Sequence, residues 1–301
     1  MASSSIPDPV VKDGIEYWNT QPASLDGVLG KSLYPYHPPP QVDATLCKSL
    51  PRVDALGSRQ FLLGLLPELS TVPSAIRPLS PPQIQHRTRA LDVGAGIGRV
   101  TSTVLLHLIE DVVLLEPVDS FINGAYSAGM ASAKGQGKAG ERWKGIQEGT
   151  KSVTFLQGTL QSFDPTHPLS STKLIGRVGY TPQSSPDSDI NVPLDVAWCQ
   201  WCLGHLSDVD LISFLQRCKA ALRVGGRSLI VVKENLCRDF GEELDTVVGP
   251  RTVFDEQDSS LMRSDLAWKK IFKDAGLILM KEQTQHGLPE GLYEVKMYAL
   301  R

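Results

Sequence analysis

The sequence predicts an α/β fold: a doubly wound, seven-stranded sheet, mostly parallel, with helices on both faces and the last strand antiparallel. Three observations carry this expectation. From residue 90 onward, apolar runs of strand length alternate with segments of helical period, the pattern of parallel strands joined by crossover helices. The first run, Ala90-Leu91-Asp92-Val93, opens directly into Gly94-Ala95-Gly96-Ile97-Gly98, a strand–turn–helix junction. The last two runs, Ile278 to Gln283 and Tyr293 to Leu300, are joined by a stretch with Gly287-Leu288-Pro289-Glu290-Gly291, too short for a crossover helix.

Ahead of the sheet, residues 1 to about 12 have the composition of a disordered tail. Asp13 to Asn19 reads as a short helix. Its adjacent aromatics Tyr17 and Trp18 either pack onto the core or, since both cannot face inward on one helix, make it a lid over the site. The glycines of Leu25-Asp26-Gly27-Val28-Leu29-Gly30 predict a turn, and Pro38-Pro39-Pro40 breaks whatever precedes it. Phe61, Leu62, Leu65 and Leu66 place a helix over Ser58 to Leu66. Residues 70–89 are rich in proline and serine and read as a flexible insertion. The expected organisation is an N-terminal extension with a helical lid over 1–69, the insertion over 70–89, and the core over 90–301.

In the core, Val100, Val104 and Leu108 recur every four residues on a helix packed back on the sheet. Val112 to Glu116 is the second strand, Phe121 to Met130 a helix, Val153 to Leu156 the third strand and Leu194 to Trp201 the fourth. Ser207 caps a helix from Asp208 to Leu222, with Asp210 placed for a capping box and Gly225-Gly226 after its end. Ser228 to Lys233 is the fifth strand, and Ser264 caps a helix from Asp265 to Ala275 that Gly276 closes. Residues 131–151, 164–193 and 238–251 read as loop insertions.

Composition narrows the function. The 301 residues are 41% hydrophobic, enough for a full core. A formal net charge of −3 gives no basic footprint for nucleic acid. No run of about eighteen apolar residues predicts a membrane span, and Met1 to Pro7 lacks the regions of a signal peptide. Five scattered cysteines suit a reducing compartment, and the lone pair Cys199/Cys202 reads as packed thiols with no metal site.

The glycine turn points to a nucleoside cofactor. Gly94, Gly96 and Gly98 let the backbone turn tightly and approach a ligand where a Cβ would obstruct. About twenty residues on, Glu116 ends the second strand, where a carboxylate accepts hydrogen bonds from two ribose hydroxyls. The spacing Gly-x-Gly-x-Gly resembles motif I of the class I S-adenosylmethionine-dependent methyltransferases, whose Rossmann-like core has the seven-stranded sheet described above. Within that superfamily the chain is similar to the eukaryotic protein N-terminal (alpha-N) methyltransferases, which methylate the α-amine of proteins beginning X-Pro-Lys or X-Pro-Arg after loss of methionine. The likeness runs through Tyr17-Trp18, Val28-Leu29-Gly30, Leu91 to Arg99, Gln200-Trp201-Cys202-Leu203-Gly204-His205-Leu206, Phe214 to Lys219, Val232-Lys233-Glu234-Asn235, Asp255 to Ser260, and Tyr293 to Arg301.

The resemblance implies roles. Gly94, Gly96, Gly98 and Arg99 would hold the cofactor, Arg99 at the carboxylate of its methionine end. Glu116 would take the ribose, where the family usually has aspartate. Pro117 and Val118 would line the adenine, Leu160 and Gln161 its edge, and Gln200 would lie beside the amino-acid portion. On the substrate side, Trp18 would pack on the second-position proline, with Leu29 on the same side. Asn235 would bond the first peptide unit, Asp255 and Asp258 would face the basic end, and His205 and Tyr293 would border the α-amine. Asp258 and His205 are the expected bases. Without the resemblance, His205 reads as structural, Asp255 and Asp258 as a solvated loop, and Trp198 and Trp201 as core. The alternative is a class I methyltransferase acting on a small molecule or a side-chain nitrogen, or a cofactor-sensing protein that kept the fold. A monomer in the cytoplasm and nucleus is expected, with no nucleic acid, membrane or metal as partner.

Overall fold

The computed structural model describes residues 6–29, 44–70, 84–138, 140–183, 189–225, 227–241 and 247–301, those of 44–48 by their backbone alone. Residues 1–5, Pro38-Pro39-Pro40, Gly226 and most of the 70–89 insertion lie outside the described residues, but the rest of the tail expected over residues 1 to about 12 is structured: a helix starts at Val11, and the Val10 N–H donates to Ser259 Oγ at 2.8 Å.

In chain order the elements are α1 (Val11–Asn19), α2 (Leu25–Leu29), α3 (Ala44–Leu65), β1 (Arg89–Val93), α4 (Thr101–Leu105, a π turn, continuing through Leu106–Leu108), β2 (Asp111–Glu116), α5 (Asp119–Ala133), β3 (Ser152–Gln157), β4 (Lys173–Gly179), β5 (Val196–Gln200), α6 (Asp208–Ala221), β6 (Leu229–Leu236), β7 (Thr252–Asp255), β8 (Ser260–Arg263), α7 (Asp265–Asp274), β9 (Leu279–Thr284) and β10 (Glu294–Leu300). The main sheet has eight strands in the order β4-β3-β2-β1-β5-β6-β10-β9. β1, β2, β3, β5 and β6 are parallel, while β10 runs antiparallel to both β6 and β9. β1, β2 and β5 are buried at every position, as strands covered on both faces must be.

Helices cover both faces. Leu91, Val93, Val113 and Leu115 join a core with Leu211 and Phe214 of α6 and Trp268 and Phe272 of α7. Ala90, Val112, Leu114 and Trp198 join a second core with Phe61 and Leu62 of α3, Val104 of α4 and Ile122 of α5. Alternate side chains of each strand thus feed opposite layers. Ser207 caps α6 as expected, its Oγ accepting the Asp210 N–H at 3.1 Å. Ser264 precedes α7 but its Oγ accepts instead from the Arg251 N–H at 2.9 Å.

Other expectations need correction too. The eighth strand, β4, lies inside the supposed 164–193 loop and pairs antiparallel with β3 at the sheet edge. Its sequence hides it: Lys173, Gly176, Arg177 and Gly179 break the alternation that marks a half-buried strand. Over Leu25–Leu29 the expected turn is the short helix α2, capped by Ser24 Oγ accepting the Gly27 N–H at 3.1 Å, while Gly30 lies outside the described residues. The helix expected from Ser58 begins at Ala44, with Pro51 inside it obscuring the period. The 131–151 stretch is largely the exposed loop expected, with two exceptions. Its first residues, through Ala133, belong to α5, and beyond them Trp143 and Ile146 are buried, with Trp143 stacked on Phe155 at 5.9 Å.

A two-stranded hairpin, β7–β8, also stands where no strand was expected. It matters because its turn carries Asp258 and Ser259 to the carboxyl edge of the main sheet.

Candidate functional site

The carboxyl ends of β1, β2 and β5 open into a cavity, the position where doubly wound sheets bind ligands. Its floor is the turn after β1. Gly94 has φ +58°, and a Cβ there would meet the Cys202 Cβ at 2.4 Å. Gly96 has φ +57° and lines the cavity with bare backbone; a Cβ there would come into ordinary contact with Val28 Cγ1 at 3.6 Å. Gly98 does not line the cavity. Its would-be Cβ points at Trp143, 2.9 Å away, so this glycine serves packing rather than a ligand.

Glu116 sits at the tip of β2. Its two carboxylate oxygens accept from the Gly96 and Val118 N–H groups, each at 2.8 Å, so the turn and the strand end are tied together through it. Burial pushes its carboxyl up to about 7, against the pull of those two N–H groups, and Asp92 nearby adds to the rise. Pro117, Val118 and Phe121 continue one wall, and Thr159, Leu160 and Gln161 close the rim. The Gln161 amide donates to the His205 carbonyl at 3.0 Å.

Arg99 and Gln200 share the opposite wall, and a residue with no signal in the sequence motifs holds both. Asp54, on α3 and wholly buried, accepts from Arg99 Nη1 at 2.5 Å and from Gln200 Nε2 at 3.0 and 3.1 Å through its two oxygens. Lys233 on β6, also wholly buried, lies 2.6 Å from Asp54 Oδ1 and donates to Ser58 Oγ and Gln285 Oε1. Burial alone pushes the Asp54 carboxyl up; Arg99 and Lys233 outweigh it and hold the group below its ordinary range.

α1 lies along the cavity mouth and lines it with Val11, Gly14, Ile15 and Trp18. Three contacts dock it. The Val10 N–H donates to Ser259 Oγ at 2.8 Å, Trp18 Nε1 donates to His205 Nε2 at 3.0 Å, and Trp18 meets Phe121 edge-on at 6.2 Å. Gly14 makes the approach possible, because a Cβ there would sit 3.1 Å from His205 Nδ1 and 3.3 Å from the Asp258 carbonyl. Since Nε2 accepts from Trp18, the neutral His205 ring carries its proton on Nδ1. Burial lowers the His205 pKa and raises that of Asp258, and the attraction between the two groups opposes both shifts. Tyr17 is raised by burial and by the charges of Asp258 and Asp255, which places the phenol in the same acidic corner.

The structure thus gathers Gly94, Gly96, Arg99, Glu116, Pro117, Val118, Leu160, Gln161, Gln200, Trp18 and His205 around one cavity. Asp258 stands behind His205 rather than on the lining. Leu29, Asn235, Asp255 and Tyr293 lie off it as well. Leu29 packs with Leu50, Val28 and Trp201; Asn235 faces Val295 in the β6–β10 ladder; Asp255 is exposed, its Oδ1 accepting from the Gln257 N–H; Tyr293 precedes β10. Trp201 corrects the reading of it as core. It lines the cavity, takes φ +55°, and stacks under the Arg99 guanidinium at 5.1 Å. β6 holds this left-handed residue in place: the Trp201 N–H donates to the Lys233 carbonyl, and Glu234 Oε1 accepts the N–H groups of Cys202 and Leu203 at 3.0 Å each. Cys199 and Cys202 are buried thiols raised well above their ordinary values by that burial. Among the described residues no cluster of His, Cys, Asp and Glu has the makings of a metal site.

Comparison with known proteins decides the family. The model for the AdoMet dependent proline di-methyltransferases matches residues 7–301. The chain belongs to this family. Among its relatives are the alpha N-terminal protein methyltransferase 1 of Arabidopsis thaliana, 34% identical over 96% of this chain and 78% of that one, and of Schizosaccharomyces pombe, 32% identical over 98% and 97%. The mouse N-terminal Xaa-Pro-Lys N-methyltransferase 1 is 30% identical over 95% of this chain and 92% of its own. A solved SAM-dependent methyltransferase from Leishmania major superposes with TM-score 0.61 at 27% identity, covering 97% of this chain and 82% of that one. The protein is therefore a methyltransferase that uses S-adenosyl-L-methionine, and the cavity fits that molecule. The bare backbone at Gly96 leaves room for a ligand, Glu116 offers acceptors at the strand tip, and Arg99 faces the same space with a cation.

Proposed function

We propose that this methyltransferase acts on the α-amino group of proteins whose N-terminus reads X-Pro-Lys or X-Pro-Arg once the initiator methionine is gone. The observation that carries the reading is the convergence of Trp18, His205 and Asp258 where α1 and the β7–β8 hairpin meet over the cavity. The names of the Xaa-Pro-Lys relatives point the same way.

On this reading Arg99 and Gln200 would hold the methionine end of S-adenosyl-L-methionine, Glu116 its ribose, and Pro117, Val118, Leu160 and Gln161 its base. When bound, that cofactor supplies an electrophilic methyl carbon with a good leaving group. This chain's residues then have two tasks. The first is presentation: Trp18 offers an indole face for the second-position proline, and Leu29, Asn235 and Tyr293, which lie off the cavity, would meet the peptide only outside it. Asp255 and Asp258 attract its basic third residue. Alignment of this kind supplies much of the acceleration. The second is deprotonation. An α-amine has a pKa of roughly 7.7–8.0, so part of it is cationic and unreactive at neutral pH. Asp258 and His205 are the bases of this reading: His205 lines the cavity, and Asp258, off the lining behind it, takes the proton through water. Each product but the trimethylated one still carries an N–H and regains a lone pair when that proton is taken, so repeated methylation of one nitrogen follows from the same arrangement. We further propose that the protein works as a monomer in the cytoplasm and nucleus.

The test is mass spectrometry of a Ser-Pro-Lys peptide incubated with the protein and S-adenosyl-L-methionine. One or more methyl increments on the first residue are expected, with much slower transfer when alanine replaces the proline. A peptide left unchanged would overturn the proposal.

A further inference from the structure

The wall that carries Arg99 and Gln200 is organised around a carboxylate contributed by the N-terminal extension. Asp54 is wholly buried and does not line the cavity. Its two oxygens accept from Arg99, Gln200 and Lys233, which come from the turn after β1, the end of β5 and the middle of β6. Three separate strands are thus registered by one side chain on α3. The charges are also informative. Asp54 and Asp92, the latter on the cavity lining and also feeling the Arg99 charge, balance one guanidinium and one ammonium, and Arg99 presents its cation to the cavity. A guanidinium has five N–H donors; Asp54 engages Nη1, which leaves others free for a second carboxylate.

We propose that Asp54 is a positioning residue that fixes Arg99 and Gln200 to receive the amino-acid end of the cofactor, so that α3 is part of the cofactor site and not only a cover for it. The inference rests on the reading of Arg99 and Gln200 as ligands of that end. Asparagine cannot replace the carboxylate. Its single carbonyl oxygen serves fewer donors, and its amide N–H₂ faces Arg99 or Gln200 donor to donor. The backbone cradle at Gly94 and Gly96 and the Glu116 carboxylate do not contact Asp54, so the nucleoside end is left as it was.

The experiment compares two probes by calorimetry on the full chain: S-adenosyl-L-homocysteine, which carries the amino-acid end, and 5′-methylthioadenosine, which lacks it. Asp54→Asn is expected to weaken the first by on the order of tenfold or more, the loss of one or two hydrogen bonds to charged groups, and to change the second by less than about twofold. Equal weakening of both probes, or of neither, would overturn the proposal. The premise is read separately: if the wild-type protein binds both probes equally, Arg99 and Gln200 do not grip the amino-acid end and the underlying assignment fails first. Lys233→Met supplies a second variant. It costs stability by breaking a buried ion pair, but Asp54 keeps Arg99 and Gln200, so the preference for S-adenosyl-L-homocysteine is expected to persist. Its disappearance in Lys233→Met would mean that the buried cluster acts only as a structural block.

Discussion

Asp258 and His205 share one environment but divide its chemistry. His205 is held neutral by burial and oriented by the Trp18 indole, which fixes its proton on Nδ1. Asp258 is half-buried, raised by that burial and steadied by the histidine. Asp258→Asn keeps the shape and removes the base. We expect cofactor affinity within about twofold of wild type and turnover slower by about a hundredfold or more, the usual scale for losing a general base. Equal losses in both, measured by calorimetry and single-turnover kinetics, would place Asp258 in cofactor binding instead. Gly14 is a second test at this scale. Its Cβ would press on His205 Nδ1 and the Asp258 carbonyl, so Gly14→Ala should raise KM for the peptide severalfold and leave cofactor affinity unchanged. The cofactor side of the site was legible in the sequence because glycine spacing and a strand-end carboxylate are local patterns. Asp54 was not, because its meaning comes from contacts 45 residues away at Arg99 and 146 away at Gln200.

At the scale of elements, α1 and the β7–β8 hairpin work as a pair. The Val10 N–H on Ser259 Oγ joins them, so the helix that carries Trp18 is set by the turn that carries Asp258. The helix was expected over Asp13 to Asn19 and starts earlier, at Val11, whereas the hairpin was not expected at all: Thr252–Asp255 and Ser260–Arg263 are four-residue strands with polar ends, below the length at which alternation is informative. β6 contributes a different property. Glu234 turns its carboxylate onto the backbone after β5, and burial pushes it up to about 7 from an ordinary 4.5. The folded chain therefore holds a proton there that the unfolded chain has released, and stability falls as pH rises from about 4.5 to about 7. Glu234→Gln keeps an acceptor oxygen and removes the charge. Between about pH 5 and pH 8 its unfolding free energy should decline less than that of wild type, by on the order of 2 kcal/mol. An unchanged pH slope in denaturant titrations would contradict the assignment.

At the scale of the molecule, the sheet decides where everything else goes. Continuous apolar runs such as Val112 to Leu115 and Val196 to Cys199 announced the parallel strands, and the short connection before β10 announced the reversal. The edge strand β4 escaped because edges are built from mixed residues. Trp143 escaped because a buried side chain in a glycine-rich stretch has no period to reveal it. Insertions that looked like loops thus partly complete the fold, while the cavity stays where strands β1, β2 and β5 end. The proposed function requires this cavity to admit a free chain terminus. Methyl transfer to two versions of one Ser-Pro-Lys peptide, one with a free α-amine and one acetylated there, tests that requirement when read by tandem mass spectrometry. Methylation of the first at its terminal nitrogen, and none of the second, is the expected outcome. Methylation of the acetylated peptide at its lysine would refute the proposed function.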